Sequence, residues 1–344
     1  MLPILVLLAA QTVVPSDQSA PVPSEVHVFE DWVVACDNGR RCQAVGVQPE
    51  GREFDGAGVM VIERGAEADA QPTVRLTDVE GLPERLSVLE EALPVRLEAA
   101  DGDFLIRIED RSAFLERTLY AEQIDVQGAN GAAIGTLSLK GLRHALLYMD
   151  EAQGRLHTPT ALIRTGNRPA RSVPAAPQLP RIRIAPPVGE DAPAMPPSRI
   201  TELRRETGCT IEDVGGPDEV ELHSLGEGRT LVMLACGTGA YNLSVVPFIA
   251  TTDGREWRIE AAPFDLPLEQ WEEQEGHRIL INGSWDPDLM TISDFSKGRG
   301  IGDCGSRSAY GWDGERFRLI AREEMPECRG STIYVTTWRT EASR

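Results

Sequence analysis

The sequence predicts a mainly β protein with minor α content: two antiparallel β-rich domains joined by a Pro-rich linker. Three observations carry this. Short apolar runs alternate with Gly, Asn and Asp turn signals along most of the chain. No βαβ alternation is visible, so a parallel nucleotide-binding sheet is not expected. Between Arg164 and Arg205, nine prolines fall within 29 residues, and proline at that density favours extended, semi-rigid chain between folding units. A length of 344 residues suits two cores.

The elements follow in order. Residues 1–20 open with an apolar run from Leu2 to about Val14, bracketed by Pro3 and Pro15. That is the length of a secretory hydrophobic region and short of the roughly 20 residues a spanning helix needs, so a signal peptide is expected, with no stable membrane span. The N-terminal domain, residues 25–163, offers strands at 28–35, 43–47, 59–63, 74–76, 104–109, 124–127 and 160–164. Asp37-Asn38-Gly39 signals a hairpin between the first two. Leu139, Leu142, Leu146 and Met149 recur at helical spacing, with Ser138 to cap the start and Gly154 to stop it. The stretch 82–99 fits neither pattern. The linker, 164–205, holds eight Arg against three acidic residues, a net +5 that leaves −25 elsewhere. The C-terminal domain, 206–344, reads as a meander of strands at 231–236, 243–251, 257–260, 290–295, 310–312, 317–322 and 332–338, with Asp253-Gly254 and Asp313-Gly314 as turns.

Charge and cysteines narrow the function classes. With 34 basic and 54 acidic residues the formal charge is −20, which opposes binding by phosphate neutralisation, so no nucleic acid partner is expected. Six cysteines fit an oxidising compartment and allow 15 pairings. Cys36 and Cys42 would face each other across the hairpin. For Cys209, Cys236, Cys304 and Cys328, pairing of sequence neighbours is simplest. Three such loops would contribute about 2.4, 3.6 and 3.5 kcal/mol on the chain-entropy model. The cysteine intervals of 5, 166, 26, 67 and 23 residues lack zinc spacing. No metal and no cofactor is expected. A redox dithiol at Cys36 and Cys42 would predict a readily reduced bridge, but it lacks the C-x-x-C spacing at a helix start.

FEDWVVACDNGRRC (29–42), LLYMDEAQGR (146–155), ACGTGAYN (235–242), SDFSKGRGIGDCG (293–305), WDGERFRL (312–319), MPECRG (325–330) and TTWRT (336–340) together resemble the domain of unknown function 1176 family of bacterial exported proteins. The resemblance spans both halves. It implies a bacterial envelope protein with six cysteines, and it implies no reaction; with the expected signal peptide, the periplasm is the expected location. FEDWVVAC alone also resembles the start of the invasion-associated locus B proteins.

Catalytic signals are sparse. Gly300 to Gly305 satisfies G-x-G-x-x-G, yet Tyr310 to Gly314 after it is another turn, not a helix. With Lys297 and Arg299 beside it, the loop suits an anion nest of backbone N–H groups or a plain disulfide-tied loop. His223 or His277 near Ser306 would make a hydrolytic site. Asp286 with Asp288, and Glu272 with Glu273, read as acidic turns. Trp257, Trp271, Trp285 and Trp312 could form a stacking patch, or fill the interior with Trp32 and Trp338. The expectation is a non-catalytic binding or interaction module with a rim at Lys297, Arg299 and Trp312 and an envelope protein or glycan as partner. The alternative is a periplasmic hydrolase with a Ser or Cys nucleophile in the C-terminal domain.

Overall fold

The computed structural model describes residues 20–52, 56–108, 111–209, 220–266, 273–274 and 277–344. The expected leader, apart from Ala20, lies outside them, as do Trp271 and Glu272. The first half runs β1 (His27–Phe29), β2 (Trp32–Cys36), β3 (Cys42–Gly46), β4 (Val59–Arg64), β5 (Thr73–Thr77), β6 (Arg85–Val88), β7 (Glu91–Ala92), β8 (Val95–Ala100), β9 (Asp103–Ile108), α1 (Arg111–Thr118), β10 (Gln123–Gln127), β11 (Ala133–Ser138) and α2 (Leu142–Ala152). Next come β12 (Arg181–Arg183) and α3 (Pro197–Thr207). The second half runs β13 (Val220–Gly226), β14 (Arg229–Thr238), β15 (Leu243–Thr252), β16 (Trp257–Ala261), β17 (Glu273–Gln274), β18 (His277–Arg278), β19 (Leu280–Ile281), β20 (Ser284–Asp286), β21 (Thr291–Lys297), β22 (Gly305–Trp312), β23 (Phe317–Met325), β24 (Val335–Arg339) and β25 (Glu341–Ser343). The protein is mainly β, in several antiparallel sheets.

Side-chain alternation stacks these sheets in layers. In the sheet β1-β2-β3-β4-β5-β9-β8, Trp32, Val34, Met60 and Ile62 face α2, where they meet Leu142, Leu146 and Met149. Their neighbours Val33, Ala35, Val59 and Val61 face the opposite way and pack on Met325, Tyr334 and Val335 of the second half. The sheet β20-β21-β22-β23-β24 turns its other face, with Ile292, Tyr310 and Leu319, to Leu231, Met233 and Val245 of the sheet β13-β14-β15-β16. The far side of that last sheet, with Val232, Leu234 and Phe248, is covered by Leu203 of α3. A buried apolar layer therefore joins the halves. The tip of the β2–β3 hairpin adds polar ties, since Asn38 Oδ1 accepts from Arg339 N–H at 2.8 Å and Asn38 Nδ2 donates to Arg339 O at 2.9 Å.

The stretch 164–205 is a structured connection and not a bare polyproline tether. Its non-proline residues supply the ladder: Arg181 to Arg183 pair in parallel with Glu341 to Ser343. Ile182 and Ile184 are buried in the second half. Pro197 sits in the first turn of α3, where proline is tolerated, and the buried Arg204 of that helix donates to Ala235 O at 2.7 Å.

Three local expectations need correction, and one stands. The run 28–35 is two strands, because Glu30 adopts φ +52° and folds β1 back on β2, with Phe29 opposite Trp32. The β2–β3 hairpin is as expected, with Cys36 opposite Cys42; its left-handed residue is Arg40 at φ +59°, and the Asp37 carboxylate stabilises the turn by accepting from Gly39 N–H at 2.8 Å and Arg41 N–H at 2.9 Å. The helix begins after Gly141 (φ +89°), where a Cβ would stand 1.7 Å from Phe29 O. Ser138, the expected cap, donates instead to Asp31 Oδ2 at 2.6 Å. Residues 160–164 form no strand, because the Asp150 carboxylate takes the Leu162 and Ile163 N–H groups. The unassigned stretch 82–99 holds β6, β7 and most of β8.

Candidate binding clefts around the 293–305 loop

Ser293 to Gly305 leaves β21, turns, and returns as β22. At Gly305, φ is +130° and a Cβ would stand 1.9 Å from Ser296 O; at Gly298 it would stand 2.6 Å from Cys304 Sγ. Only glycine fits both approaches. The loop spends its amides internally, Gly298 N–H on Cys304 O at 2.8 Å and Gly302 N–H on Arg299 O at 2.9 Å. Those two amides are therefore not offered to an external anion. Below the loop, Asn282 Nδ2 donates to Phe295 O at 2.8 Å and to Asn242 Oδ1 at 2.9 Å, and Asn242 Nδ2 donates to Lys297 O at 2.9 Å. The Cys304–Cys328 disulfide ties the loop to the segment before β24.

Asp303 anchors the loop electrostatically. Its carboxylate accepts from Arg299 Nε at 2.6 Å and from Gly330 N–H at 2.7 Å. Burial alone would push this carboxyl up; the Arg299 guanidinium and the Gly330 N–H outweigh it and hold it below the ordinary carboxylate value. A depressed folded value means the stabilisation is present above the unfolded carboxylate range and is lost as pH falls through the folded value. Asp303→Asn is therefore expected to flatten the acid limb of a stability–pH profile measured by urea unfolding. An unchanged limb would refute that role.

Two concavities flank the loop. One, of about 1040 Å³, lies at the seam between the halves; Val28, Glu30 and Arg52 line it from the first half, and Arg299, Ile301 and Arg329 from the second. Arg329 is fixed there by Asp31 Oδ1 at 2.8 Å. Ile301 is 70% exposed, an apolar side chain held out on a rigid rim. The other groove, of about 590 Å³, lies on the sheet face of β21, β22 and β23, with Phe295, Lys297, Arg307 and Glu323 around a floor that includes Ala309 and Ala321.

The expected rim of Lys297, Arg299 and Trp312 is not one surface. Lys297 lines the groove and Arg299 the seam cleft. Trp312 is 1% exposed and packs on Phe317 at 5.0 Å, because alternation along β22 sends it with Tyr310 into the layer facing β13–β16. Trp32 is buried beneath α2, and Trp257, Trp285 and Trp338 are partly buried against the cores. His223 bonds Glu221 at 3.0 Å and His277 packs edge-on to Phe248; among the described residues neither bonds Ser306. The cysteines are joined as Cys36–Cys42, Cys209–Cys236 and Cys304–Cys328. None is free, which removes the cysteine form of the hydrolase because a bonded sulfur is no thiolate. Asp286 Oδ1 accepts from Asp288 and Leu289 N–H groups at 2.9 Å, a turn-forming role. Among the described residues, no three His, Cys, Asp or Glu cluster as metal ligands.

Sequence reasoning missed two sets of residues. Asp150, Gln153 and Arg155 form a buried network with Arg64; polar residues recurring at the end of an otherwise apolar helical pattern were the available signal. Arg307 and Glu323 gave none, since a single charge in an alternating strand reads as a solvated face.

Comparison with known proteins agrees with this picture of an undefined activity. The model of the family described as protein of unknown function (DUF1176) matches residues 26–341. Over 334 residues the chain is 28% identical to the uncharacterized protein YpfG of Escherichia coli (strain K12), covering 91% of this chain and 92% of that one. The crystal structure of invasion associated protein b from Bartonella henselae aligns with a TM-score of 0.30 at 16% identity, over 38% of this chain and 99% of that one.

Proposed function

We propose that this chain, which belongs to the DUF1176 family of proteins of unknown function, is a non-catalytic binding module of the bacterial envelope whose partner, an envelope protein or a glycan, seats in the cleft between its halves. Three disulfides support an oxidising compartment, the periplasm. No helix among the described residues is long and apolar enough to cross a membrane. The two β-rich halves, joined through 164–205, act as the two walls of the site.

The observation that carries the reading is the seam cleft itself. Its walls come from both halves, its charged side chains Arg299 and Arg329 are fixed by buried or partly buried carboxylates, and its apolar contact Ile301 stands exposed on a loop closed by a disulfide. Preorganised polar groups around exposed apolar side chains, Ile301 and Val28, are the arrangement of a recognition surface, because little ordering entropy remains to be lost on binding. Ile301→Asp puts a charge on that surface without touching the core. The immobilised oxidised chain is expected to retain a specific partner from envelope extract, and Ile301→Asp to lower the retained amount at least tenfold while the circular dichroism spectrum stays that of the parent. Equal retention by the two would refute the site.

A further inference from the structure

Beyond the seam cleft, we propose that the second groove is a binding site for an organic carboxylate, with Arg307 as the oxyanion fork, Lys297 as the second cation and Phe295 with the alanine floor as the seat of the apolar body. Arg307 is held in place by two rings, its guanidinium 4.4 Å from the Phe295 centroid and 4.2 Å from the Tyr334 centroid. Phe295 and Tyr334 stand edge to face at 5.7 Å, so the clamp is rigid. Lys297 Nζ lies 5.5 Å from the same Phe295 ring. Two cations therefore share one aromatic ring.

Glu323 attracts Arg307 from across the strand pair without a salt-bridge contact. Among the described residues, the side chains of Arg307 and Lys297 enter no hydrogen bond and no ion pair, whereas Arg299, Arg329 and Arg339 each face a carboxylate. This occurs in a chain with 20 more acidic than basic residues. A guanidinium fixed in direction with its fork of donors unspent matches a carboxylate in geometry as well as charge. Glu323 lies directly across the strand pair from Arg307. Burial pushes its carboxyl up, against the pull of Arg307. Ala309 and Ala321 leave room over the sheet, and the volume of about 590 Å³ falls within the range of small-molecule sites.

The test uses the full oxidised chain with three probes, octanoate, octanamide and inorganic phosphate, read by amide chemical shifts. Octanoate is expected to shift Phe295, Arg307 and Glu323 saturably. Octanamide, with the same body and no charge, and phosphate, with charge and no body, are each expected to bind at least tenfold more weakly. Arg307→Lys keeps a cation between the rings but loses the fork, and is expected to weaken octanoate at least fivefold; Lys297→Ala, at the end of β21, is expected to weaken it severalfold with the fold intact. Absence of saturable shifts in the groove, equal binding of octanamide, phosphate binding as tight as octanoate, or unchanged affinity in both variants would each overturn the proposal. Ile301→Asp is expected to leave octanoate binding unchanged, which separates this site from the seam cleft.

Discussion

Replacing Asp150 by alanine is expected to lower stability by about 3–5 kcal/mol, the cost of leaving a buried charge without its partner. Arg64 and Asp150 are both 0% exposed and meet at 2.8 Å. The carboxylate also accepts from Leu162 N–H at 3.0 and 2.8 Å and from Ile163 N–H at 2.9 Å, so one side chain fixes the charge on β4 and the path of the chain after α2. The neighbouring Arg155 and Gln153 bind loop carbonyls of the same region, with Gln153 Nε2 reaching Arg40, Arg64 and Gly65 oxygens at 2.9 to 3.1 Å. Urea unfolding measures the loss. The double variant Arg64→Met/Asp150→Ala removes the stranded cation, so it is expected to recover part of the loss. A double variant as unstable as the sum of two singles would show that the pair is not coupled.

The second large effect is expected from the Cys304–Cys328 pair. The residues are 24 apart in sequence, and opening a loop of that length releases chain entropy worth about 3.5 kcal/mol in the unfolded state. Cys304→Ala/Cys328→Ala is therefore expected to lose about that much in urea unfolding. Amide exchange is expected to speed up in 298–304 and stay slow in β2 and β3, because the bridge fastens the loop between the clefts and not the layer beneath. A variant as stable as the parent would refute the estimate, and uniform acceleration across both regions would refute the local assignment.

Much of the fold was legible. The Asn38-Gly39 signal located the β2–β3 hairpin, the 3-4-3 spacing of Leu139 to Met149 located α2 to within a turn, and the seven strands expected in the second half lie near their positions, while β13, β17 to β20 and β25 were not anticipated. What escaped was decided by tertiary context. α3 lies in a segment dominated by proline, and its start marker, Pro197, reads equally well as linker, although Arg204, Arg205 and Gly208 mark its end. α1 has little amphipathic pattern, so packing of Phe114 rather than periodicity defines it. The shared layer had left a trace: Trp32 to Cys36 is apolar at every position, and an uninterrupted run, unlike an alternating one, belongs to a strand covered on both faces. Of the site, Lys297 and Arg299 were legible as charges on a glycine-rich loop. Their separation onto two clefts, and the burial of Trp312, depend on which way β21 and β22 turn each side chain, which strand register sets.

The double covering of β2, β3 and β4 bears on how the molecule is made. Synthesis delivers the amino-terminal residues first, yet Val33, Ala35, Val59 and Val61 find their cover in Met325, Tyr334 and Val335, near the opposite end of the chain. Until those last residues arrive, the nascent protein holds a sticky open flank toward water, and any helper that escorts such chains would find its foothold there.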